Sequence, residues 1–145
     1  MVKYILFCFA LLVFTPASKA QVHNANEELK IKEVLLRQEM AWNSFNIESF
    51  MEGYWKSDSL MFLGTKGINY GWQITLDRYK KSYPTQEAMG KLKFDVLQLT
   101  PLSKDSYFLT GKYYLTRTIG DASGMFTLIF KKIKGKWVII YDHTS

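Results

Sequence analysis

The chain has 145 residues, 48% of them hydrophobic and 16% aromatic, which is enough to fill one ordinary core, and it carries a formal charge of +6. That charge falls to +4 once Lys3 and Lys19 are set aside. The other lysines are scattered, with no basic helix and no arginine cluster, which argues against a nucleic-acid-binding surface. The single cysteine, Cys8, leaves residues 21–145 with neither a disulfide framework nor a thiol nucleophile or metal ligand.

In chain order, Met1–Ala20 reads as a secretory signal peptide. Lys3 supplies a basic start, Tyr4–Phe14 an apolar run, and Ser18-Lys19-Ala20 small residues before a cut. The run is shorter than the ~20 residues of a membrane span, so a secreted or periplasmic protein with no membrane segment after cleavage is expected. Residues 21–145 then form one domain. Asn24 and Glu27 resemble a capping pair, and Val34, Leu35, Gln38, Ala41 and Trp42 recur at helical spacing as far as Asn43-Ser44. A second helix follows Asn46 and carries Phe50, Met51, Tyr54 and Trp55 inward. A short strand is placed at 59–63, a turn-rich loop at Gly64–Gly71, and a third helix at Trp72–Tyr83, ended by Pro84.

After Gly90 the period changes to two. One strand runs from Lys91 until Pro101 closes it, a second spans Tyr107–Thr118, and a third spans Phe126–Ile133. Lys134-Gly135 then makes a two-residue hairpin turn into a last strand, Trp137–Ser145. The order is α+β: helices packed on a three- or four-stranded antiparallel meander. Both sheet faces are apolar, which implies a covering partner, most simply a homodimer through the outer sheet face.

If the hairpin register continues unbroken, Phe126 falls opposite His143, and Arg117, Phe126 and His143 form a row facing the helices. His143 would then be a candidate acid or base in an aromatic cavity, with Arg117 placed to bind a carboxylate or steady an oxyanion. Asp142, its neighbour, would point to the opposite face. Asp58 lies between a helix and a strand, as a turn cap or at a pocket rim. Tyr54, Trp55, Tyr70, Trp72 and Tyr79 supply rings with polar handles for a small apolar or mixed-polarity ligand. No metal-ligand spacing, phosphate-binding loop or nucleophile elbow occurs, so neither metal nor cofactor is expected.

Ala41-Trp42-Asn43, Ile47-Glu48-Ser49-Phe50, Tyr54-Trp55-Lys56-Ser57-Asp58, Tyr70-Gly71-Trp72, Phe126–Phe130, Gly135-Lys136-Trp137 and Asp142–Ser145, in this order, resemble the secreted bacterial branch of the nuclear transport factor 2-like superfamily. That branch is related to the SnoaL-like and ketosteroid isomerase-like proteins. The resemblance implies a cone-shaped roll of three N-terminal helices on a curved, mostly antiparallel sheet, often dimeric, with a pocket at the open end. It transfers no reaction. The sequence therefore supports a secreted small-molecule-binding domain with an aromatic-lined pocket. The alternatives are an isomerase-, dehydratase- or cyclase-like enzyme working by general acid–base catalysis in that pocket, and a non-catalytic structural or protein-interaction module.

Overall fold

The computed structural model describes residues 24–145, and the expected signal peptide, Met1–Ala20, lies outside them. The first helix, α1 (Ala25–Asn43), starts where the Asn24 side chain accepts the backbone N–H of Asn26 and Glu27. Glu27 does not close the capping box. Its carboxylate instead accepts from Lys132 Nζ at 2.8 Å and Trp137 Nε1 at 2.6 Å, tying the start of the helix to the sheet. Ile31, Val34, Leu35, Gln38 and Trp42 form the buried stripe.

Helix α2 (Ile47–Met51) is a single capped turn, so Tyr54 and Trp55 lie in the loop after it. The chain then forms β1 (Met61–Gly64), close to the strand expected at 59–63, and β2 (Gly67–Tyr70), which pairs with it antiparallel where the sequence suggested a turn-rich loop. A strand as short as β2 carries too little alternation to register as period two. Helix α3 (Trp72–Ser82) and a one-turn α4 (Gln86–Met89), capped by Thr85, precede the four long strands. These are β3 (Lys91–Ser103), β4 (Ser106–Thr116), β5 (Ala122–Ile133) and β6 (Lys136–Thr144). Pro101 does not close β3 but sits inside it, which an edge strand permits because no neighbour needs its missing N–H.

The six strands run in the order β2-β1-β6-β5-β4-β3, all antiparallel except β1 on β6. The result is the expected α+β plan, with helices against one face of the sheet, although the sheet holds two more strands than the meander alone. Ile31, Met51, Leu60, Leu109, Phe130 and Ile139 are fully buried between the layers. Burial of each such side chain stabilises the fold by roughly 1.5–3 kcal/mol.

The register of β6 departs from the unbroken hairpin. Phe130 pairs with Ile139, but Ile129 pairs with Tyr141, leaving Ile140 as an extra residue in a β-bulge. Beyond the bulge every side chain changes face. Trp137 and Ile139 point inward as the alternation predicts, but then Asp142 and Thr144 point inward and Tyr141 and His143 outward. The cause lies in the helical layer. The Ile139 N–H donates to Gly53 O at 2.9 Å, and the Trp55 N–H donates to Ile139 O at 2.8 Å, whereas β1 takes over the same edge from Tyr141 onward. Two different neighbours share one strand edge, and the bulge falls between them.

Candidate functional site

A cavity of about 390 Å³ opens between α3, the sheet and the β1–β2 turn. That size lies within the range of small-molecule sites. Its wall is built largely of rings. Trp42, Phe50, Tyr79 and Tyr83 make a set of contacts with centroids 4.8–6.1 Å apart, and Phe94 meets Phe126 at 5.2 Å. The helical spacing of Thr75, Arg78, Tyr79 and Ser82 puts all four on the cavity side of α3. The Trp42 indole donates to Met89 O at 3.1 Å, so this ring is anchored by its polar edge.

Among the buried polar side chains that line the cavity, Gln38, Thr75 and Asp142, only the last is ionisable. Asp142, only 3% exposed, accepts the Tyr54 hydroxyl on Oδ2 at 2.7 Å and the Thr144 hydroxyl on Oδ1 at 2.7 Å. Burial pushes its carboxyl up to about 6, against the opposing pull of those two hydroxyls and of nearby His143. Burial and the adjoining Asp142 charge likewise hold the Tyr54 and Tyr79 phenols well above their ordinary value. The carboxyl thus changes protonation close to neutrality while the two phenols stay protonated as donors.

Cationic side chains mark the mouth. Lys66 lies in the β1–β2 turn, Arg78 on α3, and Arg117 just past the end of β4, all lining the cavity. The Arg117 Nε donates to Gly120 O at 2.8 Å, and its backbone N–H donates to Asp121 at 2.8 Å. This fixes the guanidinium at the β4–β5 turn, and its outer nitrogens donate no hydrogen bond among the described residues.

The structure redistributes the residues singled out in the sequence. Arg117, Tyr54 and Tyr79 line the cavity. His143 does not: the bulge turns it to the outer face, exposed, between Thr127 and Leu63, and the row opposite Phe126 holds Thr144 instead. Nor does Arg117 join that row, because β4 ends at Thr116 and Tyr113 pairs with Gly124. Asp58 is exposed and outside the cavity. Trp55 packs beside β6 through its backbone, and Trp72 is held by its indole bond to Met51 O at 2.9 Å with Lys56 over its ring. Tyr70, 57% exposed, faces away on the edge strand β2. Asp142, expected on the outer face, takes the interior place instead. No periodic signal could reveal this, because Ile139-Ile140-Tyr141 is apolar throughout and hides the phase change. Arg78 was legible, three residues from Thr75 and four from Ser82.

No protein-family model and no curated protein matches the chain. Among solved structures, a nuclear transport factor 2-like protein of unknown function from Shewanella oneidensis MR-1 is 37% identical, with a TM-score of 0.79, covering 82% of this chain and 98% of its own. A ketosteroid isomerase-like protein from Erwinia carotovora atroseptica SCRI1043 shares the fold at 16% identity and a TM-score of 0.67, covering 84% of this chain and 97% of its own. A protein of unknown function with a cystatin-like fold from Nostoc punctiforme PCC 73102 does so at 17% and 0.66, covering 83% and 91%.

Proposed function

The chain belongs to the nuclear transport factor 2-like family, and we propose that it binds a small, mostly apolar molecule in the aromatic cavity, with Asp142 as the polar anchor. The observation that carries this reading is a buried carboxyl aimed into an open, ring-lined volume. A core filled for stability alone has no reason to keep an ionisable group beside such a space. We place it in the secreted branch for the sake of the Lys3, Tyr4–Phe14 and Ser18–Ala20 pattern.

The test uses the neutral fluorophore N-phenyl-1-naphthylamine. One molecule is expected to bind per chain with a blue shift. Leu128→Trp, which fills the cavity, and Ser82→Trp, which obstructs the mouth from an exposed position, should each abolish binding. No stoichiometric binding, or binding unchanged in both variants, would sink the proposal. Expression with residues 1–20 intact tests export: an intact mass beginning at Gln21 supports it, and one beginning at Met1 overturns it.

One observation favours an acid–base enzyme acting in the same cavity. Asp142 exchanges a proton near neutrality beside two donor hydroxyls, as an isomerase or dehydratase requires. On that reading Asp142→Asn keeps probe binding and loses turnover.

A further inference from the structure

The charges at the mouth bear on what enters. Arg78 and Arg117 are half-buried and Lys66 exposed, and all three line the cavity. Some cations elsewhere hold a carboxylate partner: Lys80, two residues from Arg78, pairs with Glu48; Lys30 and Lys132 pair with Glu27; Lys93 pairs with Asp95. Among the described residues, none of the three at the mouth lies within ion-pair distance of a carboxylate. Asp121 accepts the Arg117 backbone N–H and does not line the cavity. The two arginines approach from opposite walls. The Arg78 guanidinium lies against Gly64 of the β1–β2 hairpin, and the Arg117 stem lies against Gly90 at the start of β3. Guanidinium groups that line one cavity, half-buried and without a carboxylate partner among the described residues, favour an anion with two or more oxygens.

We infer that the ligand is an amphiphilic anion, an apolar ring system or chain carrying a carboxylate or sulfonate, with its charged end between Arg78 and Arg117 and its neutral end inward. The inference rests on the binding reading above and adds the ligand's charge and orientation. The Asp142 carboxyl contributes to orientation as well, because it repels a negative end that enters first and accepts a hydroxyl or other donor on the inner end. Lys66, on the exposed turn, adds to the field that gathers anions at the opening.

A matched pair of probes separates this inference from the reading beneath it. The compound 8-anilino-1-naphthalenesulfonate differs from N-phenyl-1-naphthylamine only by its sulfonate. The native protein is expected to prefer the sulfonate by about ten-fold or more, a preference that shrinks in about 0.5 M salt. The double variant Arg78→Gln, Arg117→Gln should bring the ratio near unity while keeping the neutral probe within about two-fold. Lys66→Gln, at an exposed turn where folding is not at risk, should lower the ratio by a smaller factor in the same direction. Equal binding of the two probes by the native protein, or a preference that survives the double variant, overturns the anion inference and leaves the cavity reading intact. Failure of both probes to bind overturns both.

Discussion

Asp142 concentrates the energetics of the molecule in one side chain. Its carboxyl moves from an ordinary value of 3.8 to about 6 on folding, so the folded state holds the proton more tightly than the unfolded one. Stability associated with the protonated form is fully present below the unfolded value and is lost as pH rises through about 6. The shift corresponds to a loss on the order of 3 kcal/mol. Asp142→Asn mimics the protonated carboxyl in shape and can still accept from Tyr54. The variant is therefore expected to match the native protein in Tm near pH 4 and to exceed it above pH 7. Parallel Tm curves for the two proteins across that range would contradict the assignment. Glu27 acts in the opposite sense: held down to about 2 by its bonds with Lys132, Lys30 and Trp137, it contributes stability above the ordinary carboxylate value that is lost as pH falls towards 2. For that reason the difference between native and Asp142→Asn curves, rather than either curve alone, isolates Asp142.

Among the elements, β6 decides the site. The long elements were legible because each repeats one period over many residues: the stripe of α1, the alternation of β4 and β5, and the Lys134-Gly135 turn, whose two positive φ angles suit a tight hairpin. Strand β2 and helix α4 were not, since four residues hold too few repeats. The face of Asp142 was illegible for a different reason, the extra residue Ile140. Deleting Ile140 should join Ile139 directly to Tyr141, giving a regular ladder in which Asp142 still faces inward. The expected outcome is a folded protein destabilised by about 1–3 kcal/mol that keeps its loss of stability as pH rises through 6. A folded deletion variant without that pH dependence would show that the faces had exchanged and that Ile140 is not the residue the bulge absorbs.

At the scale of the whole molecule, the sheet has an inner face that lines the cavity and an outer one that carries an apolar row among Thr110, Lys112, Thr127 and Lys131. Phe108, Ile129 and Tyr141 align across β4, β5 and β6 on the outer side, half-buried, with Met125, 42% exposed, nearby. A surface of this kind is proposed to pair with a second copy of the chain. His143 stands on it, so its environment belongs to the outer face rather than to the cavity. Sedimentation or light scattering at micromolar concentration should give the mass of two chains. Ile129→Lys, which puts a charge at the centre of the row, should give the mass of one with the fold retained. A native protein that is monomeric under those conditions would remove the outer face as an interface.

Sequence by itself determined the α+β class, the long helices, the existence and alternation of the four long strands though not the start of β5 at Ala122 or the end of β3 beyond Pro101, the hairpin turn, and an aromatic interior containing Tyr54 and Tyr79. Each of these follows from local periodicity, turn chemistry or composition, or from family resemblance carried by motifs in order. Only the tertiary structure decided which of two adjacent polar residues, Asp142 or His143, enters the cavity. The physical reason is that the phase of β6 is set by partners far away in the chain: Gly53 and Trp55 hold Ile139, β1 holds Tyr141 and the residues after it, and the bulge between them reverses every face that follows.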